Sequence, residues 1–174
     1  GLEKMEWVST RGQGPSKERR LTNAGGLLDE WKTQIQASRR QLPRRRYYVP
    51  GGDLPALTNR IATHCVGEGI SYALTQEAAA QRYAPFLSSY SRLAIRVSPV
   101  RGVEQMLAAF DARLVTEGAN VDILETKTHG EFLFREKVDG VWLASPVQVY
   151  LDLLRGEGRA RDMAEHLRKE LLRI

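Results

Sequence analysis

The fold is decided most clearly by residues 141–154, which read VWLASPVQVYLDLL. The first four residues are mostly apolar and predict a short strand, Val141 to Ala144. Ser145 followed by Pro146 is typical of a helix start, because serine caps the free N–H groups of the first turn and proline suits the first helical position. Apolar residues then recur at helical spacing through Leu154. This stretch therefore predicts a strand that leads directly into an amphipathic helix.

Short strands and helices also follow one another upstream and downstream of this stretch. The alternating apolar residues of 93–97 predict a strand, and Asp53 with Pro55 predicts the start of a helix. Thr75 is expected to cap another helix that runs to about Tyr83. Further strands are predicted at 70–74, 121–124 and 131–134, and further helices from about residue 23, over 103–114 and over 158–173. Because these elements are not in strict βαβ order, we predict an α+β (irregular α/β) fold, in which mixed short strands pack with about five to six helices.

Positive charge is concentrated in the first part of the chain. Residues 1–50 carry 11 Lys and Arg against 5 Asp and Glu, whereas residues 51–174 carry 15 against 16. This distribution favours a polyanionic partner, most often nucleic acid. No apolar run approaches the roughly 20 residues that span a bilayer, so we expect no membrane partner. Cys65 is the single cysteine, which excludes an internal disulfide and fits a reducing, cytoplasmic location.

A turn-rich segment near the start predicts a hairpin over residues 5–21, with Gly12 and Gly14 in its loop. We expect the basic side chains of this hairpin and of the arginine-rich segment after the first helix to neutralise DNA phosphates. Tyr47 and Tyr48 would stack on exposed bases. The alternative is a solvated charged face, with the two tyrosines packed as a strand. The candidate DNA-binding residues are Arg11, Lys17, Arg19, Arg20, Arg39, Arg40, Arg44, Arg45 and Arg46.

A nuclease site is an alternative function. Glu125 and Lys127 reproduce the E-x-K half of a metal-dependent nuclease pattern, with Asp111 and Asp122 upstream. Such enzymes need two carboxylates to hold Mg²⁺ and a lysine to assist the attacking water. Asp122 and Glu125 are three residues apart, however, so on one strand they face opposite sides. We therefore expect a protein that is not an enzyme.

No metal, cofactor or nucleophile site is expected from the remaining reactive residues. His64, His129 and His166 are far apart in sequence and, with one cysteine, do not make zinc-ligand spacing. Cys65 is expected to be a small buried hydrophobe. A second alternative function is a protein-interaction module whose basic segment meets an acidic protein.

Three stretches resemble a known family when they are taken together. They are RLTNA at 20–24 with LLDEW at 27–31, YALT at 72–75 with AAA at 78–80 and YAP at 83–85, and residues 141–154 with GRA at 158–160 and AEHL at 164–167. The chain resembles the AbiEi group, which are transcriptional-regulator antitoxins of abortive-infection type IV toxin–antitoxin systems. The resemblance covers about residues 20–172, and its third stretch is the most specific.

The resemblance implies a winged-helix DNA-binding domain followed by an antitoxin domain. It also implies that the protein binds the operator of its own operon and neutralises, directly or indirectly, a toxin resembling nucleotidyltransferases; repressors of this kind often act as homodimers. We expect residues 1–21 to be a wing-like hairpin, 22–44 a linking helix with a basic segment, and 45–174 the antitoxin domain. The chain begins at Gly1, and only 21 residues precede the linking helix, which is too few for a helix-turn-helix. We therefore expect this chain to lack the recognition helix that reads the DNA sequence.

Overall fold

The computed structural model describes residues 7–38, 43–98, 101–126 and 128–174, with the backbone alone at residues 101, 102, 125 and 129. The chain forms two compact units, residues 1–40 with Ile174 and residues 41–173. The described residues form six α-helices and nine strands. The prediction of an α+β fold with mixed short strands and five to six helices is confirmed.

A hairpin opens the first unit. Its strands, β1 (Val8–Arg11) and β2 (Glu18–Leu21), pair antiparallel. The chain reverses through Gly12, whose φ of +89° favours glycine, and then through a 3₁₀ turn at Gly14–Ser16. An isolated two-stranded hairpin is marginally stable in water, so its connection to the following helix matters.

That connection runs through Trp7 to the start of helix α1 (Ala24–Ser38). The backbone N–H of Thr22 donates to the carbonyl oxygen of Trp7 at 2.8 Å. The backbone N–H of Gly26 donates to Asn23 Oδ1 at 2.7 Å, so Asn23 is the N-cap. The base of the hairpin and the first turn of α1 therefore form one hydrogen-bonded junction.

Gly26 should be required at this junction. A Cβ at residue 26 would lie 2.7 Å from Asn23 Nδ2 and 3.0 Å from Trp7 Nε1. Gly26→Ala should therefore displace the cap and lower the free energy of unfolding by about 1 kcal/mol, even though alanine is the better helix former. Urea unfolding followed by tryptophan fluorescence measures this effect.

Gly67→Ala is the matched control for Gly26→Ala. Gly67 ends a helix, and a Cβ there would meet nothing within 4 Å. We expect this control to be neutral or to stabilise the protein by up to about 1 kcal/mol. Equal effects of the two substitutions would show that the close approach at Gly26 has no energetic weight.

The second unit is built on a seven-stranded sheet. Its strands are β3 (Arg45–Tyr48), β4 (Tyr72–Thr75), β5 (Leu93–Val97), β6 (Arg113–Leu114), β7 (Val121–Glu125), β8 (Glu136–Val138) and β9 (Val141–Leu143). Their order across the sheet is β6-β3-β7-β5-β4-β9-β8. β5 is parallel to β7 and β4 is parallel to β9, whereas the other neighbours are antiparallel.

The core lies at the middle of this sheet. Ile95 of β5 lies opposite Ile123 of β7 on one side and Leu74 of β4 on the other. All five residues of β5 are buried. Because a strand with both faces buried reads as a continuous apolar run, the polar residue inside it, Arg96, requires a specific partner.

Helices cover the sheet of the second unit. They are α2 (Leu54–Gly67), α3 (Gln76–Tyr83), α4 (Arg101–Ala109), α5 (Pro146–Leu153) and α6 (Ala160–Leu167), the last continued by a π-helical turn at Arg168–Leu172. The predicted caps of α2 and α5 are confirmed. The N–H of Ala56 donates to Asp53 Oδ1 at 2.8 Å, and the N–H of Gln148 donates to Ser145 Oγ at 3.2 Å. Helices α3, α5 and α6 pack against one another.

Two local predictions between β4 and β8 are wrong, the first of them only in part. Thr75 is the N-cap residue of α3, as predicted, but its side chain makes no capping hydrogen bond, and its hydroxyl donates to Asp152 Oδ2 at 2.6 Å. The predicted strand at 131–134 is absent, since His129–Phe132 form a 3₁₀ turn. Phe134 follows with a φ of +60°, which is incompatible with a strand.

The predicted helix over 103–114 is too long. It ends at Ala109, and Asp111 adopts a φ of +49°, a left-handed conformation that aspartate tolerates better than most residues. Leu114 matches the helical spacing but lies in the short edge strand β6, where 70% of it is exposed. The match of Leu114 to the helical spacing is therefore a coincidence.

Candidate functional site

The hairpin presents four of the predicted DNA-binding residues. All four, Arg11, Lys17, Arg19 and Arg20, are exposed. Arg20 lies opposite Ser9 and Arg19 lies opposite Thr10, so the two arginines point to opposite faces. The structure therefore places these cations together on one exposed element that carries a single acidic residue, Glu18, between Val8 and Leu21.

The second basic segment is arranged differently from the hairpin. Arg44 is only 13% exposed, because its guanidinium lies 3.3 Å from Asp122 Oδ2 and 3.0 Å from Glu157 Oε1. Arg46 lies 3.7 Å from the same oxygen of Glu157, and Arg45 is exposed on β3. The candidates Arg39 and Arg40 lie outside the described residues.

Of the two tyrosines proposed to stack on bases, Tyr47 is 7% exposed, because its side chain lies on the covered face of β3. Stacking by Tyr47 is therefore wrong, and the alternative of a packed strand is correct for it. Tyr48 is 45% exposed, on the other face of β3.

The residues of the nuclease alternative do not form a site in the described part of the chain. The buried carboxylate of Asp122 faces Arg44, and Asp111 lies exposed in a turn. Glu125 ends β7 with its side chain undescribed, and Lys127 is outside the described residues. No group of three His, Cys, Asp or Glu side chains able to hold a metal ion occurs among the described residues.

The other reactive side chains pack in apolar surroundings. The ring of His64 meets Phe110 edge-on at 5.3 Å, and His166 lies 4.9 Å from the ring of Phe86. Cys65 is fully buried, and burial raises the pKa of its thiol to about 12. The thiol therefore stays protonated and unreactive at neutral pH. The prediction that Cys65 is a small buried hydrophobe is confirmed.

A buried ion-pair network joins β5 to α5. Arg96 donates from Nε to Asp152 Oδ2 at 2.9 Å and from Nη2 to Asp152 Oδ1 at 2.7 Å, and it also donates to Glu131. Burial alone would lower the pKa of Arg96, but the hydrogen bonds and charges of Asp152 and Glu131 outweigh it and raise that pKa. Arg96 therefore stays charged, and the network fixes α5 against the sheet.

A polar cleft of about 590 Å³ opens in the second unit. We define it by Arg44, Arg92, Asp122, Tyr90, Glu77 and Arg159, which line it together with the Gly156–Ala160 turn before α6. Burial raises the pKa of Glu77, while the charge of Arg92 opposes this rise. Among the cleft residues, only Arg44 was predicted to bind DNA and only Asp122 was named in the nuclease alternative. The sequence did not group them, because they come from distant parts of the chain.

Comparison with known proteins gives one finding. Residues 20–173 match the family model described as "Transcriptional regulator, AbiEi antitoxin, Type IV TA system". No curated protein and no solved structure matches the chain. Among the described helices, none has the length and apolar content needed to cross a bilayer.

Proposed function

Because the chain belongs to the AbiEi antitoxin family of type IV toxin–antitoxin transcriptional regulators, we propose that it binds the DNA of its own operator and counters a cognate toxin. In this proposal the hairpin of β1 and β2 acts as a wing that contacts the DNA backbone. The second unit, residues 41–173, acts as the antitoxin domain and has its own core.

The observation that carries the DNA-binding part is the exposure of the basic hairpin. Arg11, Lys17 and Arg20 are exposed on an element whose other side chains are almost all exposed too. An element that contributes so little to a core exposes its charges to the solvent, where a ligand can reach them. Each phosphate that a cation neutralises releases counterions, which adds salt-sensitive affinity.

The second basic segment has a more limited role in the proposal. Arg45 and Arg46 keep exposed surface on β3 and would add phosphate contacts. Arg44 is committed to Asp122 and Glu157, so its charge is largely compensated within the protein. The hairpin is therefore the better target for a test.

Removing three charges from the hairpin should weaken DNA binding and flatten its salt dependence. The variant combines Arg11→Gln, Lys17→Gln and Arg20→Gln. Each lost phosphate contact should lower the slope of log affinity against log salt by about 0.9. The measurement is fluorescence-anisotropy titration of a labelled duplex between about 50 and 300 mM salt.

A control with the same change in net charge combines Arg113→Gln, Arg161→Gln and Lys169→Gln, all at exposed residues of the second unit. This control should keep the wild-type slope within experimental error. If both triple variants change the slope equally, net charge and not the hairpin determines binding. Absence of binding at low salt, together with saturable binding to an acidic protein, would favour the protein-interaction alternative.

The same hairpin variant separates the two parts of the proposal. Countering of the toxin is assigned to the second unit, so cells that produce the cognate toxin should still grow when they carry the hairpin variant. Loss of this protection in a variant that folds normally would mean that DNA binding and toxin neutralisation share the hairpin.

A further inference from the structure

The polar cleft has the size of a small-molecule site. Its volume of about 590 Å³ lies within the roughly 300–1,000 Å³ that is usual for ligand pockets. It lies wholly within the second unit and is lined by the first turn of α3, the loop at residues 87–92, the start of β7 and the turn before α6. The hairpin proposed to contact DNA contributes no residue to it.

Two arginines line the cleft and also contact neighbouring side chains. The side chain of Arg159 is 65% exposed, and its Nε lies 3.9 Å from Asp162 Oδ2. Arg92 is 39% exposed and lies 3.9 Å from Asp122 Oδ2. The guanidinium of Arg159 lies 5.1 Å from the centre of the Phe86 ring, in a cation–π arrangement. Arginines with such contacts retain donors for a carboxylate or phosphate ligand.

The turn before α6 adds backbone donors to the same cleft. Gly158 has a φ of +59°, and Arg159 follows with φ −81° and ψ 3°. The N–H of Ala160 donates to the carbonyl oxygen of Glu157 at 3.2 Å, so the N–H groups of Gly158 and Arg159 are the donors that this turn can offer an anion. No side chain caps the start of α6. Gly156 is needed there, because a Cβ would lie 2.5 Å from Cβ of Ala160.

Asp122 shows that the cleft also requires a hydrogen-bond donor. It is 2% exposed, yet its two guanidinium neighbours lie 3.3 and 3.9 Å from Oδ2, which is longer than a good hydrogen bond. Its Oδ1 has no hydrogen-bond partner among the described residues. A buried carboxylate oxygen that accepts no hydrogen bond is costly, and a hydroxyl or amino group of a ligand would relieve that cost at Oδ1.

We propose that the cleft binds an organic phosphate of mononucleotide size. Its phosphate would lie between Arg92, Arg159 and the N–H groups of the turn before α6. A hydroxyl or amino group would donate to Asp122, and the ring of Tyr90 in the cleft wall offers a surface for a planar base. This site is distinct from the DNA contact and does not depend on it.

Calorimetric titration of the full chain tests the proposal with AMP, GMP, CMP and UMP, and with adenosine and inorganic phosphate as partial ligands. At least one mononucleotide should bind saturably and at least about 10-fold more tightly than either partial ligand. Arg92→Gln should weaken that binding at least about 10-fold, because it removes a charged donor from a partly exposed position. Arg113→Gln, an equal charge change on β6, should leave it within about twofold.

Three results would overturn the proposal. The first is the absence of saturable binding of every mononucleotide up to about 5 mM. The second is equal weakening by Arg92→Gln and Arg113→Gln, which would indicate nonspecific attraction. The third is binding of inorganic phosphate as tightly as any nucleotide. This result would show that a hydrogen bond from the ligand to Asp122 adds nothing to the affinity. Circular dichroism of each variant establishes that it is folded. None of these results bears on the proposal that the hairpin binds duplex DNA.

Discussion

Replacing Asp152 with alanine should lower the free energy of unfolding by about 3–5 kcal/mol, since it leaves a buried guanidinium without its main counterion. Asp152 is 0% exposed and receives two hydrogen bonds from Arg96, at 2.9 and 2.7 Å. Thr75 and Gln148 donate to it as well, at 2.6 and 2.8 Å. A loss of this size corresponds to a fall in melting temperature of roughly 10 °C for a chain of this length.

Asp162→Ala is the control for this prediction. Asp162 is also an acidic helix residue, but it is 67% exposed, and its partner Arg159 lies 3.9 Å away. Its removal should change stability by no more than about 0.5 kcal/mol. Thermal and urea unfolding followed by circular dichroism compare the two variants, and similar losses for both would mean that the buried pair does not stabilise the fold.

Replacing Ile95 with alanine should cost about 2–5 kcal/mol, because it opens a cavity at the centre of the sheet. Ile95 is 0% exposed and lies between Ile123 and Leu74 on the neighbouring strands, which are 0% and 1% exposed. Rigid strands on both sides leave little room for the site to collapse around the smaller residue. The urea concentration at the unfolding midpoint should fall, with the slope of the transition unchanged.

Leu114→Ala removes a large aliphatic side chain from a different strand of the same sheet. Leu114 is 70% exposed on the edge strand β6. We expect an effect within about 0.5 kcal/mol. If Leu114→Ala lowered the free energy of unfolding as much as Ile95→Ala does, the core would not lie at the middle of the sheet as described above.

Local signals in the sequence predicted the helix starts. Asp53, Ser145 and Asn23 each cap a helix with a hydrogen bond to a residue three positions further on. Such contacts depend only on neighbours in sequence, so the residue types and their spacing are enough to find them. The same holds for the alternating strand at 93–97 and for the buried Cys65.

Contacts between distant residues could not be predicted in this way. Arg44 was expected to neutralise a DNA phosphate, but it pairs with Asp122 and Glu157, both far along the chain. Arg96 is one polar residue in an apolar strand, and nothing local indicates that Asp152 is its partner. Tyr47 is buried and Tyr48 is exposed because they lie on opposite faces of β3, and which face the rest of the chain covers is not contained in the strand itself.

The polar cleft could not be predicted for the same reason. Arg92, Asp122 and Arg159 come from three separate segments, and each alone has an ordinary surface or strand-end interpretation. The best local hint in the sequence is Gly158 at the start of a predicted helix, since turns at helix starts can bind anions. That hint does not identify the side chains opposite the turn.

The order of strands also determines when the protein can fold during its synthesis. Arg46 of β3 pairs with Asp122, and Leu74 of β4 pairs with Leu143 on one side, so β3 and one edge of β4 wait for partners made much later, although the other edge of β4 pairs with the nearby β5. Pairings between such distant residues form slowly, and the unpaired strands are exposed to aggregation in the meantime. The nascent chain therefore cannot complete its sheet until residue 143 has left the ribosome.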